Sequence, residues 1–327
     1  MRPGPFPFTL RQFQYAVAVA ETLNFHRAAQ RCHVSQPSLS AQLAALEGAV
    51  GVRLFERNRK RVLVTAAGQE LMARARRLLV EAEDLLAAAG RLGDPLAGTF
   101  RVGIIPTISP YLLPAVVPAL RARYPALTVV WVEDKTGALV RSLAAGDLDA
   151  AIVALESRLG DVEHEVIARD PFVLATPVGH PLGRSKAPAT LADLRASRVL
   201  LLDDGHCFRD QALALCAASE AQELGFRATS LSTLAQMVAA GAGVTLLPRL
   251  AVRTEVRRSR LAVRPFVEPA PARTLALVWR RNASLGPALR QFAATIRERH
   301  ARTDPARRGA AGNPRSSRSP GRASRAD

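Results

Sequence analysis

Two of the three cysteines in this 327-residue chain lie nine residues apart in the segment LLDDGHCFRDQALALC, residues 201–216. Cys207 stands among charged and polar neighbours that include His206 and Arg209, whereas Cys216 ends an apolar run. The thiolate is the reactive form of cysteine, and nearby cations, hydrogen-bond donors or a helix N-terminus favour it. The pattern therefore favours a reactive thiol at Cys207 and a sheltered, protonated thiol at Cys216. The alternative is that both are ordinary buried cysteines.

The other cysteine and the other histidines indicate no second reactive centre. Cys32 ends a short predicted helix and is interpreted as a buried helix residue. No paired CxxC or HxxxH spacing completes a metal site with His206, Cys207 and Cys216, so neither a metal nor a cofactor is predicted. The remaining histidines are scattered along the chain: His26, His33, His164, His180 and His300.

The overall charge favours an anionic partner. The formal net charge is +17, and residues 301–327 hold seven arginines against two aspartates, in a Pro/Ser/Gly/Ala-rich tail that we predict to be disordered. The rest of the chain remains basic, which suits DNA. No apolar run approaches the roughly 18 residues that cross a bilayer, and the start MRPGPFPFTL lacks a secretory apolar region, so a cytoplasmic location is expected.

The first 64 residues predict an all-α winged helix-turn-helix. The stretch QPSLSAQLAALEGAVG follows a short helix and a tight turn, with Ser35 as candidate cap and Pro37 in the first turn. Its apolar stripe is Leu39, Leu43, Leu46 and Val50, which leaves Gln36, Ser38, Ser40 and Gln42 outside. Such side chains can bond base edges or phosphates. A hairpin wing follows, with a cationic tip formed by Arg57, Arg59, Lys60 and Arg61. The alternative is a small three-helix domain with a solvated charge run.

Residues 65–91 predict a long helix that begins at the candidate cap Thr65. Its apolar residues alternate spacings of four and three: Leu71, Ala75, Leu78, Ala82, Leu85, Ala89 and Leu92. This heptad seam indicates dimerisation, which would double the head for a two-fold operator. The alternative is a single helix that packs on its own domain. Residues 92–98 are the predicted hinge.

Beyond the hinge, alternating strands and helices predict an α/β regulatory domain over residues 99–300. Two strand–helix sets indicate two subdomains around a cleft, roughly 99–170 with 270–300, and 171–269. Ligands in such folds bind at the carboxyl ends of strands. Thr107 and Thr136 both fall at predicted strand ends that precede helices.

The residues from about Leu10 to Arg299 resemble a known family. LRQFQYAVAVAETLNFHRAAQRCHVSQPSLSAQLAALEGAVGVRLFERNRKRVLVTAAG is similar to the winged helix-turn-helix of LysR-type transcriptional regulators. GIIPTISPYLLP, DGHCFRDQALALC and FRATSLSTLAQMVAAGAGVTLLP resemble its hydrogen-peroxide-sensing OxyR subgroup. The resemblance implies a two-subdomain, periplasmic-binding-protein-like regulatory domain. It also implies a cytoplasmic homodimer or homotetramer that binds promoter DNA, works with RNA polymerase and controls antioxidant genes.

The same resemblance assigns roles within the regulatory domain. Cys207 matches the peroxidatic cysteine and Cys216 the resolving cysteine, with a glutaredoxin or thioredoxin-type protein as reductant. Four residues match positions that hold peroxide and water beside the thiol: Thr107, Thr136, His206 and Arg273. Asp210 matches an acidic residue associated with that site. Phe208 departs from the pattern, because a leucine is common there.

A disulfide between these cysteines requires a change of shape. If the segment between them is helical, nine steps separate the two Cα atoms by roughly 13 Å. A disulfide tolerates at most about 7 Å. The segment must therefore unwind before the bond forms, and we predict that this refolding transmits the signal to the DNA-binding heads.

Two other functions remain open from the sequence. A LysR-type regulator could instead sense a small organic anion in the subdomain cleft, with Thr107 and Thr136 on the carboxylate and the cysteines incidental. A thiol peroxidase that turns over with a cellular reductant is the enzymatic alternative. The DNA-binding head argues against an enzyme, so no catalytic residue in the enzymatic sense is predicted.

Overall fold

The structure is a computed structural model that describes residues 5–58, 61–90, 94–195, 197–219 and 222–303. Its N-terminal head contains α1 (Leu10–Thr22), α2 (Phe25–Arg31), α3 (Gln36–Val50), β1 (Phe55–Asn58) and β2 (Arg61–Val64). Ser35 caps α3 by accepting a hydrogen bond from the Ser38 amide at 3.3 Å. Leu39, Leu43 and Leu46 are fully buried in the core of the head. The predicted cap and apolar stripe are confirmed.

The wing is an antiparallel hairpin in which Phe55 lies opposite Val64. Glu47 on α3 anchors it, because its Oε1 accepts hydrogen bonds from the amides of Leu54 and Phe55 at 2.8 and 3.2 Å. The described residues stop short of the hairpin tip, so Arg59 and Lys60 lie outside them, as do the side chains of Arg57 and Arg61. The contact of these cations with phosphates stays a prediction.

The long helix α4 (Ala66–Gly90) begins as predicted, with the Gly68 amide donating to Thr65 Oγ1 at 2.9 Å. Its predicted seam divides into two parts. Ala75 is buried against the head, together with the partly buried Leu71. Leu78 and Leu85 are 49% and 71% exposed, and the neighbouring Leu86 is 73% exposed. The side chain of Ala89 and all of Leu92 lie outside the described part. Leu71 and Ala75 therefore serve the helix's own domain, whereas the described parts of the chain leave Leu78 and Leu85 largely uncovered.

The regulatory domain has two sets of elements. The first contains β3 (Gly98–Ile104), α5 (Ser109–Arg123), β4 (Leu127–Glu133), α6 (Thr136–Ala145), β5 (Ala150–Ala154), β6 (Val162–Pro177), β11 (Ala272–Arg280) and α11 (Gly286–Thr303). The second contains α7 (Pro181–Arg184), a 3₁₀ turn (Leu191–Leu194), β7 (Arg198–Leu202), α8 (Cys207–Ser219), β8 (Gln222–Ala228), α9 (Leu231–Ala239), β9 (Thr245–Pro248), α10 (Arg249–Ser259) and β10 (Leu261–Pro265). The sequence thus forms an α/β regulatory domain, as predicted.

Strand β6 joins the two sets. The main sheet has the order β10-β6-β11-β5-β3-β4, with β9 also paired to β6. β3 runs parallel to β4 and β5, whereas β11 is antiparallel to β5 and to the first half of β6. The second half of β6 pairs with β9 and β10, and β7 pairs with β8 in a separate parallel ribbon. The partners of β6 change between Pro171 and Phe172.

Each set has its own core. Phe100, Trp279 and Phe292 are fully buried in the first, and Leu174 and Leu234 in the second. Helix α11 closes the first set and runs to Thr303, three residues into the segment predicted as a tail; residues 304–327 lie outside the described residues. Among the described helices, none combines the length and the apolar character needed to cross a bilayer.

Helix α4 contacts the regulatory domain at the end of α6. Gly146 terminates α6 with a φ of 85°, a conformation that favours glycine. A Cβ atom at this position would collide with the side chain of Val80 on α4, which is itself buried. The glycine therefore permits both the helix end and the close approach of the two helices.

Candidate redox site

Cys207 is the first residue of α8, as the sequence predicts. Strand β7 leads into a four-residue loop whose Gly205 has a φ of 84°, and the chain then enters the helix. The cysteine is buried and packs within the first core. The start of a helix carries unsatisfied amide groups and a partial positive charge, so this position suits an anionic sulfur.

Cys216 lies further along the same helix and is also buried, but within the second core. Burial raises the pKa of its thiol to about 11, and the negative charge of Glu223 acts in the same direction. A thiol with this pKa is protonated at neutral pH. The predicted sheltered state of Cys216 agrees with these surroundings.

Neither cysteine is joined in a disulfide, and both lie on one continuous helix. Nine helical steps separate their Cα atoms by roughly 13 Å, well beyond the reach of a disulfide. The helical premise of the distance argument is therefore confirmed. Because the sulfurs also belong to different cores, bringing them together requires α8 to leave part of its packing in both.

Arg273 on β11 is the centre of a buried polar network. It has no exposed surface and donates to Asp170 Oδ2 from Nε at 3.0 Å. It also donates to Thr107 Oγ1 at 2.7 Å and to the Thr107 carbonyl oxygen at 3.1 Å. Asp170 Oδ1 accepts from the Leu250 amide at 2.9 Å. A buried guanidinium is stable only when paired and hydrogen-bonded, and this arrangement meets both conditions.

Phe208 links this network to the reactive helix. Its ring is buried, meets Phe172 edge-to-face at 5.1 Å between centroids, and lies 5.7 Å from Arg273 Cζ. The residue next to Cys207 thus covers the guanidinium that holds Thr107. The aromatic side chain that departs from the family pattern is accommodated by Phe172 on β6.

Two predicted site residues carry buried polar atoms without a partner among the described residues. They are Thr136 Oγ1, in the first residue of α6, and His206 Nε2, in the loop before Cys207. Lys135 Nζ donates to the Asp204 carbonyl oxygen at 2.6 Å, which holds this loop against the start of α6. An unpaired buried polar atom costs free energy, so both atoms are suited to a small polar ligand.

The charge state of His206 follows from the same surroundings. Burial lowers the pKa of the imidazole, the positive charge of Lys135 lowers it further, and Asp203 opposes both effects. The ring is therefore neutral at pH 7, with one nitrogen as donor and the other as acceptor. A neutral imidazole can either give or take a hydrogen bond with peroxide.

Arg209 and Asp210 occupy different surroundings from the rest of the predicted set. The Arg209 guanidinium contacts Asp204 Oδ1 and Glu223 Oε1, both at 2.9 Å, and donates to the Leu202 carbonyl oxygen at 3.0 Å. Its charge is offset by these carboxylates, so the expected assistance to Cys207 from Arg209 is not supported. Asp210 lies in the first turn of α8 and is exposed, apart from the buried network of Arg273.

The predicted DNA-reading face of α3 is open to solvent. Ser35, Gln36, Pro37, Ser38 and Gln42 are exposed, and Ser40 is half-buried. Gln42 Oε1 accepts a hydrogen bond from Gln12 Nε2 of α1 at 3.1 Å, so its orientation is fixed by the neighbouring helix. Sequence reasoning did not identify Gln12, Glu47 or Asp170, because each acts through a partner that is distant in the chain.

Comparison with known proteins identifies both domains. Residues 10–69 match the family described as bacterial regulatory helix-turn-helix protein, lysR family. Residues 93–301 match the LysR substrate binding domain. These two matches cover the head and the regulatory domain described above.

Whole-chain relatives agree with the domain matches. The chain is 42% identical over 291 residues to the DNA-binding transcriptional dual regulator OxyR of Escherichia coli K12, with 89% of this chain and 95% of the relative covered. A full-length OxyR variant from Pseudomonas aeruginosa has a similar structure, with a TM-score of 0.72, 37% identity and coverage of 89% and 95%. An H₂O₂-bound OxyR mutant of Corynebacterium glutamicum matches with a TM-score of 0.62, 35% identity and coverage of 92% and 94%. The chain therefore belongs to the LysR family of transcriptional regulators, in its OxyR subgroup.

Proposed function

We propose that this chain is a peroxide-sensing transcriptional regulator switched by a reversible Cys207–Cys216 disulfide, and that it controls oxidative-stress genes. The observation that carries the proposal is the placement of two reduced cysteines on one helix but in two different cores, with the unpaired buried Nε2 of His206 next to Cys207 in the chain. The similarity to an H₂O₂-bound OxyR mutant supports the choice of peroxide as the signal.

In the first step, the Cys207 thiolate attacks one peroxide oxygen. A sulfur–oxygen bond forms, the oxygen–oxygen bond breaks, and the leaving hydroxide takes a proton to become water, which leaves a sulfenic acid. Thr107, held by Arg273, offers its hydroxyl, while Thr136 Oγ1 and His206 Nε2 are free to bond the peroxide. Asp210 is assigned a role at the approach to the site, because it is exposed on the same helix.

In the second step, the Cys216 sulfur attacks the sulfenic sulfur of Cys207. The disulfide forms and the hydroxyl group leaves as water. The step requires α8 to unwind, since roughly 13 Å separates the Cα atoms in the helix. Unwinding removes Phe208 from Phe172 and Arg273, so oxidation repacks both subdomain cores. A glutaredoxin or thioredoxin-type reductant restores the thiols by exchange.

The repacking reaches DNA through an oligomer. The exposed Leu78, Leu85 and Leu86 on α4 form an apolar strip that a second copy of the helix would cover, which gives a homodimer and, by pairing of dimers, a homotetramer. The exposed face of α3 and the basic wing of each head then contact promoter DNA in the cytoplasm, where the oxidised form acts with RNA polymerase. The chain serves as a stoichiometric sensor, not as an enzyme that turns over.

Footprinting one promoter with reduced and peroxide-treated protein tests the proposal. The wild type should change its protected region upon oxidation and lose one pair of free thiols per subunit. Cys207→Ser should show neither change, and Cys32→Ser, a matched control in the head, should behave as the wild type. A Cys207→Ser protein that still shifts its footprint refutes the proposal. Retention of both thiols in the wild type favours an organic-anion sensor, and many turnovers limited only by reductant favour a peroxidase.

A further inference from the structure

Lys135 connects two elements of the regulatory domain that belong to different subdomains. It precedes Thr136 at the start of α6 in the first set, and its side chain reaches the loop between β7 and α8 in the second set. Its Nζ donates to the Asp204 carbonyl oxygen at 2.6 Å and lies 3.7 Å from Asp203 Oδ2. This loop ends at His206. One side chain therefore joins the element that carries Thr136 to the element that carries His206.

The loop is also fixed within its own subdomain, through Asp204. The two carboxylate oxygens of Asp204 contact Arg209 of α8 at 2.9 Å and Arg227 of β8 at 2.6 Å. Both arginines belong to the second set, so they fix the shape of the loop but do not tie it to α6. Of these three cations around Asp204, Lys135 is the one from the first set, and its hydrogen bond ties the loop to α6.

The stem of Lys135 packs closely on the loop backbone. Gly205 has a φ of 84°, which side chains rarely permit, and a Cβ atom there would lie 3.0 Å from Lys135 Cδ. The glycine therefore allows the loop to approach the lysine stem. Although 41% of the lysine side chain is exposed, this packing gives it one direction, which a fully solvated ion pair would not do.

The two elements that Lys135 joins each carry a buried polar atom that has no partner among the described residues. These atoms are Thr136 Oγ1 and His206 Nε2. Both can bond one small ligand only if the loop and α6 stand at the correct separation. A misplacement of about 1 Å can slow a reaction by about a hundredfold. Lys135 is next to Thr136 in the chain and bonds the residue two positions before His206, so it controls this separation.

We propose that Lys135 is a positioning residue for the oxidation of Cys207. It holds the loop of residues 203–206 against α6, so that Thr136 and His206 bond the same peroxide molecule. This inference rests on the proposed function, because it takes peroxide as the oxidant of Cys207. Lys135 takes no part in the bond changes themselves. Its loss should therefore slow the first oxidation step without unfolding the protein.

Timed oxidation of the full-length Cys216→Ser protein tests this role, because no disulfide with residue 216 can follow. Catalase and a maleimide stop the reaction, and mass spectrometry of the peptide that contains Cys207 gives the remaining thiol. Lys135→Met keeps the stem without the amino group, and should lower the second-order rate constant for peroxide about tenfold. Lys135→Arg keeps a cationic donor and should stay within about threefold of the parent protein. Lys186→Met removes an exposed lysine between α7 and the 3₁₀ turn, and should react as the parent does.

Hydrogen exchange separates a positioning contact from a simple effect of charge. In Lys135→Met the amides of residues 203–207 should exchange at least about fivefold faster than in the parent. Its thermal unfolding midpoint should stay within about 3 °C, because the lysine is partly exposed.

Four results would count against the inference. A parental oxidation rate in Lys135→Met overturns it. A slow Lys135→Met protein whose loop stays protected also overturns it, because charge alone would then explain the rate. The same holds for Lys135→Arg if it is slow while its loop stays protected. If Cys207 of the parent protein does not react with peroxide, the proposed function fails, and this inference fails with it.

Discussion

The two ends of α8 differ in what surrounds the sulfur. Cys207, at the helix start, packs in the first core, and its neighbours in the chain are His206 and Phe208, whose ring covers Arg273. Cys216 lies among apolar side chains of the second core, where burial raises its pKa. The comparison teaches that one helix can place the same chemical group in two different environments, of which the apolar one keeps the Cys216 thiol protonated. The helix that carries both also keeps them apart.

The largest effect is expected from removing the second thiol of α8, Cys216. Cys216→Ser should abolish the disulfide completely, because the one other thiol, Cys32, packs in the head and not in the regulatory domain with Cys207. Peroxide should then convert Cys207 to a sulfenic acid that a dimedone reagent traps, as measured by intact-protein mass spectrometry. Cys32→Ser is the control and should still lose two thiols. A disulfide in Cys216→Ser that joins Cys207 to Cys32 within one chain would contradict the assigned pair.

Loss of the buried cation that the Phe208 ring covers, Arg273, should be the next largest effect. Arg273→Met leaves Asp170 as a buried carboxylate without its ion-pair partner, at a cost of about 3–5 kcal/mol in the free energy of unfolding. Urea denaturation of the reduced protein measures it. Arg290→Met breaks the half-exposed pair with Glu163 and should cost less than about 1 kcal/mol. Similar costs for both variants would show that the Arg273 network does not support this end of the helix.

Phe208→Leu tests the packing that holds Cys207 in the helix. The smaller side chain loses contact with Phe172 and Arg273, which should destabilise the reduced form by about 1 kcal/mol. The disulfide form lacks these contacts in either protein, because unwinding breaks them. The substitution should therefore shift the equilibrium constant between the reduced and the disulfide form about fivefold towards the disulfide, as measured in a glutathione buffer. Phe292→Leu, in the first core away from α8, should lower stability without this redox shift. An unchanged equilibrium in Phe208→Leu would mean that the ring keeps its contacts in the oxidised state.

The smallest effect concerns Cys216 and pH. The folded pKa of about 11 exceeds the unfolded value, so the neutral thiol stabilises the fold fully below about pH 9, and this contribution is lost as the pH rises towards 11. At pH 10 the reduced wild type should have lost about 1 kcal/mol more of its unfolding free energy than Cys216→Ala has lost. Urea titrations at pH 8 and pH 10 give the difference. Parallel losses in the two proteins would show that Cys216 is not desolvated.

Local signals were enough to predict the elements that begin and end at distinctive residues. Ser35 as cap of α3, Thr65 as cap of α4 and Cys207 at the start of α8 follow from short-range rules, and the structure has all three. The apolar stripe of α3 follows in the same way, because helical periodicity is visible within a few turns. Such features depend on neighbours within the segment itself.

Features that depend on distant partners were not predictable from the sequence. Strand β6 continues through Pro171 into the second subdomain, although proline usually argues against a central strand. Proline is tolerated here because the strand exchanges partners at this residue, from β11 to β9. Helix α10 was not predicted, because its arginines interrupt the apolar pattern that would indicate a helix in the sequence. The roles of Asp170 and Phe172 depend on Arg273 and Phe208, which lie about a hundred and about forty residues away along the chain.

Helix α6 has one end in the sensor and the other on the linker helix. Thr136 begins it with a buried hydroxyl, and Gly146 at its other end packs directly against the side chain of Val80 on α4. The ten residues of α6 form a helix about 15 Å long. We therefore predict that α6 transmits a shift at Thr136 to the linker helix α4. Any side chain larger than hydrogen at position 146 would push α6 away from Val80 on α4, and should weaken the coupling between the peroxide site and the DNA-binding head.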